Sequence, residues 1–183
     1  YGANKFNQNI GGWNTGKVTD MSYMFFATDS FNQNIGGWNT INVNNMSVMF
    51  RSALSFNGDI SGWDTDNVDN MAEMFLGAIV FNQNIGGWNT ENVTKMQLML
   101  SDARLFNQNL SNWNVENVVD MSDMFRNAIL FNQDIGQWTL NPSVNMIRML
   151  NICGMNCVNY SATLNGWNNN PATPNGRNLG AIG

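Results

Sequence analysis

The sequence contains no histidine and has little charge of either sign. Its 183 residues include 13 acidic and eight basic side chains, so 11% are charged and the net charge is −5, whereas about a quarter of the residues in an average soluble protein are charged. Without histidine, the commonest general base and metal ligand is missing. Because no run of lysine or arginine is present either, the charge pattern of a nucleic-acid-binding protein is absent. We expect no nucleic-acid partner, no metal and no cofactor.

Long apolar runs are also missing. No stretch approaches the roughly 20 consecutive apolar residues that span a membrane, so we expect no membrane span in this segment. The chain begins at Tyr1, part-way into a repeated unit, and ends at Gly183 without a recognisable anchor or sorting signal. We therefore expect it to be a piece of a larger chain or of an envelope complex.

Cysteine is scarce, and the two cysteines, Cys153 and Cys157, are four residues apart. Gly154 lets the chain turn sharply between them, so they can close a small disulfide loop in an oxidising compartment. A structural zinc site takes about four cysteine or histidine ligands, more than this chain offers. Cys153 also continues a column of small residues, which predicts simple burial instead. That column is Ala53, Ala78, Ala103 and Ala128.

What the chain does have is a 25-residue unit that recurs six times without insertion or deletion before residue 150. Each unit carries a phenylalanine, a tryptophan seven residues later, and then a pair of methionines. The phenylalanines are Phe6, Phe31, Phe56, Phe81, Phe106 and Phe131, and the tryptophans are Trp13, Trp38, Trp63, Trp88, Trp113 and Trp138. A unit of this size cannot close a core alone, so successive units must stack. We predict one domain, with a six-unit solenoid over residues 1–152 and a degenerate seventh unit plus C-terminal cap over residues 153–183.

The pattern within one unit predicts an α/β fold. In the second unit, polar residues separate Phe31 from Ile35, and Gly36 follows, which is typical of a short strand that ends in a turn. From Val43 to Met49 the apolar residues recur at every third position, which indicates one or two turns of helix. We predict one short parallel strand and one short helix per 25-residue unit, with units about 4.8 Å apart.

Identical polar side chains form columns along such a stack. The asparagines at Asn7 and its equivalents have no exception, which predicts a structural amide ladder, with a ligand-binding row as the alternative. The glutamine column is the candidate ligand face, because a uniform row suits a repetitive polymer such as a glycan. It consists of Gln8, Gln33, Gln83, Gln108 and Gln133, and Gly58 interrupts it.

Residues that depart from the repeat are the places to look for chemistry, because a catalytic site is singular and a stacked column is not. The residues that depart from the repeat include no set that could form a catalytic site, so we expect no enzyme. The acidic residues Asp64, Asp66, Asp69 and Glu73 are a solvated loop or a calcium site, but they lack the calcium-loop pattern of alternating aspartates followed by glycine. Two columns differ in every unit, and they are either a tailored binding face or unconstrained positions. They are Tyr23, Val48, Glu73, Leu98, Asp123 and Arg148, and Phe26, Arg51, Leu76, Ser101, Arg126 and Asn151.

The unit also resembles a known repeat. The motif Phe-Asn-Gln-Asn/Asp-Ile-x-x-Trp-Asn-Thr-x-Asn-Val-x-x-Met-x-x-Met-Phe-x-x-Ala, over about residues 1–153, is similar to the repeat of the BspA-like bacterial surface proteins. The resemblance implies a right-handed, leucine-rich-repeat-like α/β solenoid that is secreted or held at the cell surface. It further implies a non-enzymatic interaction or adhesion module whose partner is a protein or a glycan. The alternative is a structural spacer or an accessory subunit of a cell-envelope assembly.

Overall fold

A computed structural model describes residues 3–170. The chain winds through successive coils of one 25-residue unit each, and every coil lies against the next. The one helix among residues 3–170, α1, spans Cys157–Asn169 and follows the last coil. No strand is present in these residues, so the coils are built from turns and extended segments.

The prediction of an α/β solenoid with a strand and a helix in each unit is wrong. The β-type pairing within residues 3–170 consists of isolated parallel bridges, one between each pair of neighbouring coils. One bridged residue per coil makes no sheet, and α1 lies outside the six units. The leucine-rich-repeat-like architecture, which needs a strand in each unit, is contradicted with it. The bridges join Asp20 to Asn45, Asn45 to Asn70, Asn70 to Lys95, Lys95 to Asp120 and Asp120 to Asn145.

In the segment predicted as a strand, an asparagine side chain takes the place of backbone pairing. The N–H of Asn57 donates to Oδ1 of Asn32 at 2.9 Å, and the same bond recurs from Asn7 up to Asn156 at 2.8 to 3.0 Å. A sheet ladder needs backbone groups on both strands, so it does not form here. The structural amide ladder is confirmed, although these side chains are exposed or half-buried rather than buried.

In the segment predicted as a helix, two residues of every unit have a positive φ. Tyr23 has a φ of 58° and Ala27 a φ of 51°, and the equivalent residues of each later unit are also left-handed. A right-handed helix excludes such residues. Alternate N–H groups donate to the next coil instead, from Met21 to Asn45, from Tyr23 to Ser47, from Phe25 to Met49 and from Ala27 to Arg51.

The core is a set of continuous apolar columns. The side chains of Phe31, Ile35, Val43 and Met49 are fully buried, as are most of their equivalents. Rings of successive phenylalanines stack with centroids 5.9 to 6.2 Å apart. The paired methionines fill the core, since their exposed fractions are 2% or less from Met46 onwards. In the sixth unit the buried valine is Val144, and the aligned Ser143 is exposed.

The helix α1 follows the sixth coil and packs on it. Asn156 caps it by accepting a hydrogen bond from the N–H of Asn159. The indole of Trp167 donates to the carbonyl of Ile135 at 3.0 Å, and Gly166 lies so close to Gly136 that a Cβ there would approach its carbonyl oxygen to 2.4 Å. The predicted seventh unit therefore contributes its tryptophan from a helix. Residues 171–183 of the predicted cap lie outside the described residues.

Candidate functional site

Three depressions follow one another along a single side of the stack, with volumes of about 630, 310 and 370 Å³. They lie between the second and third, the fourth and fifth, and the fifth and sixth coils, and we call this side of the stack the polar groove. Two rows define it: Asn34, Asp59, Asn84, Asn109 and Asp134 on one side, and Gly37, Gly62, Gly87, Asn112 and Gln137 on the other. The groove spans the second to the sixth unit.

The first row is built by turns that each asparagine or aspartate makes with its own backbone. Oδ1 accepts a hydrogen bond from the N–H two residues later, as in Asn34 to Gly36 at 3.1 Å and Asp59 to Ser61 at 2.9 Å. This is the Asx-turn that favours Asn and Asp at such positions. One oxygen is held by the turn, and the second polar atom of each side chain remains for other contacts.

The second row leaves open space. A Cβ added at Gly37, Gly62 or Gly87 would meet nothing within 4 Å. Asn112 and Gln137 occupy the same column in later units, so the backbone there accepts side chains. The glycines therefore widen the groove at its second, third and fourth units.

Charge in the groove is limited to two carboxylates. The hydrogen bond from the backbone N–H of Ser61, and to a lesser extent that from its hydroxyl, holds the pKa of Asp59 below its ordinary value. This carboxylate is therefore ionised at neutral pH. Asp134 lies three units further along. The two acids are too far apart to act as a catalytic pair.

The candidate ligand face predicted from the glutamines borders the groove. Gln133 lines its third depression. Nε2 of Gln33 donates to the carbonyl oxygen of Asn7 at 3.1 Å and to its Oδ1 at 2.9 Å. Gln108 and Gln133 make the same pair of bonds to Asn82 and Asn107, while Gln8 is exposed and Gln83 is half-buried. Ligand binding by this row stays a prediction, but three of its five amide nitrogens are engaged in joining coils.

A family model described as "Mycoplasma protein of unknown function, DUF285" matches residues 1–78 and 56–167. The two matches together cover all six coils and most of α1. The chain belongs to the DUF285 family. No curated protein and no solved structure shows significant similarity to it. The resemblance to BspA-like repeats stays a prediction.

The two variable columns of this DUF285 chain make contacts between coils. Arg51 pairs with Glu73 of the next coil and lies over the ring of Phe26, with 5.7 Å from Cζ to the centroid. Asp123, which is 7% exposed, accepts two bonds from Arg148 at 2.8 and 3.0 Å. Several of these residues therefore connect neighbouring units, and they are not simply unconstrained.

The acidic cluster has no metal-like arrangement. Asp64 accepts from the N–H of Asp66 at 3.0 Å, and Asp66 accepts from the amide of Asn89 at 2.9 Å. Among residues 3–170 no group of three or more Asp, Glu, Cys or His side chains is placed to hold a metal ion. The calcium interpretation therefore has no support in this part of the chain.

The cysteines of the DUF285 chain are both free thiols in the structure. Cys153 is buried, which raises the pKa of its thiol, and Cys157 is exposed at the first residue of α1. The disulfide stays a prediction. No helix of residues 3–170 has the length and apolarity to cross a membrane.

The polar groove was not predicted from the sequence, whose regular columns indicated the glutamine row beside it. Two signals were available. Aspartate replaces asparagine at Asp59 and Asp134, and glycine recurs at Gly37, Gly62 and Gly87. Whether these positions face a groove depends on how the turns fold. The two signals could therefore be interpreted only once the geometry of the coils was known.

Proposed function

We propose that this DUF285 chain is a non-enzymatic recognition module, part of a larger protein, that acts outside the cell or at its surface. Its partner is a protein or a glycan that lies along the polar groove. The observation that carries the proposal is the groove itself: amide, hydroxyl and carboxylate groups line three depressions along one side of the stack, beside glycines that face open space. An extended surface of repeated positions is how stacked-repeat proteins bind their partners.

The rigidity of the coils supports this role. Each asparagine at the Asn7 position fixes the next coil through its side chain, and each threonine from Thr15 to Thr90 donates to the carbonyl of the next coil at 2.7 to 3.0 Å. The groove is therefore held in one arrangement before a partner binds. Such preorganisation reduces the entropy lost on binding.

The chemical content of the groove favours binding over catalysis. Its acids, Asp59 and Asp134, are three units apart, and the chain has no histidine. A general acid and base need to reach one reacting group together. Amides and hydroxyls instead provide the donors and acceptors that recognition requires.

One observation favours the alternative of a spacer or envelope subunit. Five aliphatic side chains on two adjacent columns are 37 to 51% exposed, which suits packing against another protein. They are Leu54, Ile79, Leu105, Ile129 and Leu130. In that case the groove would bind nothing, and changes to this apolar row would disrupt assembly.

A binding screen with a blocked groove tests the proposal. The purified chain is applied to a glycan array and to preparations of cell-surface proteins, alongside a variant that carries Gly62→Tyr and Gly87→Tyr. Both positions have room for a side chain, so the fold should persist while the groove is obstructed. Gly12→Tyr is the matched control, because Gly12 is also unobstructed but lies outside the three depressions.

Binding that is lost in the double variant and kept in the Gly12→Tyr control supports the recognition module. Binding that survives in both places the partner elsewhere on the chain. No binding to any preparation, together with assembly defects after Leu105→Ser and Ile129→Ser, supports the spacer.

A further inference from the structure

The first depression of the groove lies where the repeat departs from its own pattern. Most units read Asn-Gln-Asn or Asn-Gln-Asp, but the third unit reads Asn57-Gly58-Asp59. The volume beside Gly58 is about 630 Å³, against about 310 and 370 Å³ in the other two depressions. We call the space lined by Asn32, Asn34, Asn57, Gly58, Asp59 and Ser61 the Gly58 notch.

Three of the equivalent glutamines, Gln33, Gln108 and Gln133, show which contact is missing at Gly58. Nε2 of Gln108 lies 3.1 Å from the carbonyl oxygen of Asn82 and 2.9 Å from its Oδ1. At the notch the corresponding acceptors belong to Asn32, and Gly58 has no amide to offer them. Oδ1 of Asn32 still accepts the N–H of Asn57 at 2.9 Å, while its carbonyl oxygen has no donor among residues 3–170. A pair of acceptors is thus exposed to a ligand.

The backbone does not require glycine at this position. Gly58 does not have the positive φ found at Gly77. A Cβ would approach Phe56 to 3.1 Å and the carbonyl oxygen of Gln33 to 3.3 Å, so a side chain fits there only after these neighbours shift by a few tenths of an ångström. Glutamine occupies the same position in five other units. The coil therefore tolerates a side chain at this position, and the glycine at Gly58 leaves the space beside it open.

We propose that the Gly58 notch binds one saccharide residue of a glycan through its hydroxyl groups. This inference rests on the proposed function and names the ligand class for one segment of the same groove. It also places Asn32 and Asp59 in contact with the sugar as hydrogen-bond acceptors.

The notch presents both hydrogen-bond donors and acceptors, which favours a ligand with hydroxyl groups. The notch offers acceptors from Asn32 and from the carboxylate of Asp59. It also offers donors, because the Nδ2 groups of Asn34 and Asn57 make no hydrogen bond within residues 3–170. An ammonium group is a donor only and would leave these amides unmatched, while a phosphate is an acceptor only and would meet a carboxylate. A hydroxyl both donates and accepts, so a sugar satisfies both sets.

The affinity for a single sugar should be weak. No aromatic side chain lines the notch, and the site is open to water. We expect a dissociation constant on the order of 1 mM, which is a range that NMR titration measures well.

The test is a titration of the ¹⁵N-labelled chain with the methyl glycosides of glucose, galactose, mannose and N-acetylglucosamine. At least one should shift the backbone amide signals of Gly58, Asp59 and Ser61. Gly58→Gln rebuilds the missing amide contact and fills the notch, so it should abolish these shifts. Gly58→Gln should still unfold in one cooperative thermal transition well above the titration temperature, which shows that the loss is not due to unfolding.

A second variant tests whether the Gly58 and Asp59 pair is sufficient to bind a sugar at another unit. Gln108→Gly with Asn109→Asp copies the Gly58 and Asp59 pair into the fifth unit, so new shifts should appear at residues 108–111. Absence of shifts at Gly58 with all four glycosides, or shifts that persist in Gly58→Gln, would overturn the inference. Array binding that is lost in the Gly62→Tyr and Gly87→Tyr variant but unchanged in Gly58→Gln would reject the sugar site and keep the proposed function.

Discussion

The indole N–H of Trp38 donates to the carbonyl oxygen of Ile10, 28 residues earlier, at a distance of 3.1 Å. Every later tryptophan of the series makes the equivalent bond, at 2.9 to 3.2 Å, and Trp167 continues it from α1. The indoles are 4% exposed or less from Trp38 onwards. Each tryptophan thus fills the core of its own coil and fastens it to the preceding one.

Replacement of one interior tryptophan should destabilise the whole stack. Trp88→Phe removes the donor to Ile60 and leaves a small void, which together cost about 1–3 kcal/mol. Urea unfolding followed by circular dichroism measures the change. Trp13→Phe is the control, because Trp13 is 54% exposed and should change stability little. Equal losses in the two variants would contradict a fastening role for the indole.

The asparagine ladder predicts a graded effect of two similar substitutions. Oδ1 of Asn82 accepts from the N–H of Asn107 and from Nε2 of Gln108, whereas Oδ1 of Asn57 accepts from the N–H of Asn82. Since each net hydrogen bond contributes about 0.5–1.5 kcal/mol, Asn82→Ala should lower the free energy of unfolding about twice as much as Asn57→Ala. Chemical denaturation of both variants checks the ratio. A larger loss in Asn57→Ala would be the contrary result.

The left-handed residues predict a substitution that stabilises the protein. Ile152 has a φ of 57° and is 50% exposed, and a β-branched residue in this conformation costs about 1–2 kcal/mol. Ile152→Gly should therefore raise the free energy of unfolding by about 0.5–1 kcal/mol after the extra entropy of glycine in the unfolded chain. Ile129→Gly is the matched control.

Ile129 is 51% exposed and has no positive φ. Glycine there should lower stability by about 0.5–1 kcal/mol, so the two glycine substitutions have opposite signs. The thermal midpoints of the two variants provide the measurement. The same sign in both would show that strain at Ile152 is negligible.

These residues also explain which parts of the fold the sequence predicts. The repeat length, the apolar columns and the amide ladder follow from spacing, because identical residues in register must stack. The spacing of three from Val43 to Met49 suits a helix as well as a coil with Val48 at a φ of 62°, and residue type did not reveal the left-handed positions. The strand prediction failed because the side chain of Asn32, and not its backbone, pairs with Asn57.

The site was harder to predict than the fold for a related reason. Polar columns are equally regular whether they join coils or face a ligand. Gln33 and Gln108 join coils, while Asn34 and Asn109 line the groove. The difference depends on hydrogen-bond partners one unit away, which only the geometry of the coils reveals.

The last prediction concerns acid stability and Asp20. Hydrogen bonds from the hydroxyl of Ser22, and further bonds from its backbone N–H and from the amide of Asn45, hold the pKa of Asp20 below its ordinary value of 3.8, although burial opposes them. The folded chain therefore binds fewer protons at Asp20 than the unfolded chain does. The stabilisation is complete above the ordinary pKa and is lost as the pH falls through the lower value of the folded state.

Asp20→Asn separates this titration from the rest of the fold. Asparagine already occupies the equivalent position at Asn45, where its Oδ1 accepts the N–H of Ser47 at 3.0 Å, so the turn should persist in the variant. The parent should lose more stability than Asp20→Asn as the pH is lowered from about 5 to about 2, and the two curves should run parallel above about pH 5. Urea unfolding at a series of pH values measures both curves. Parallel curves across the whole acid range would show that Asp20 contributes nothing to acid sensitivity, and a steeper loss in Asp20→Asn would reverse the sign of the proposed linkage.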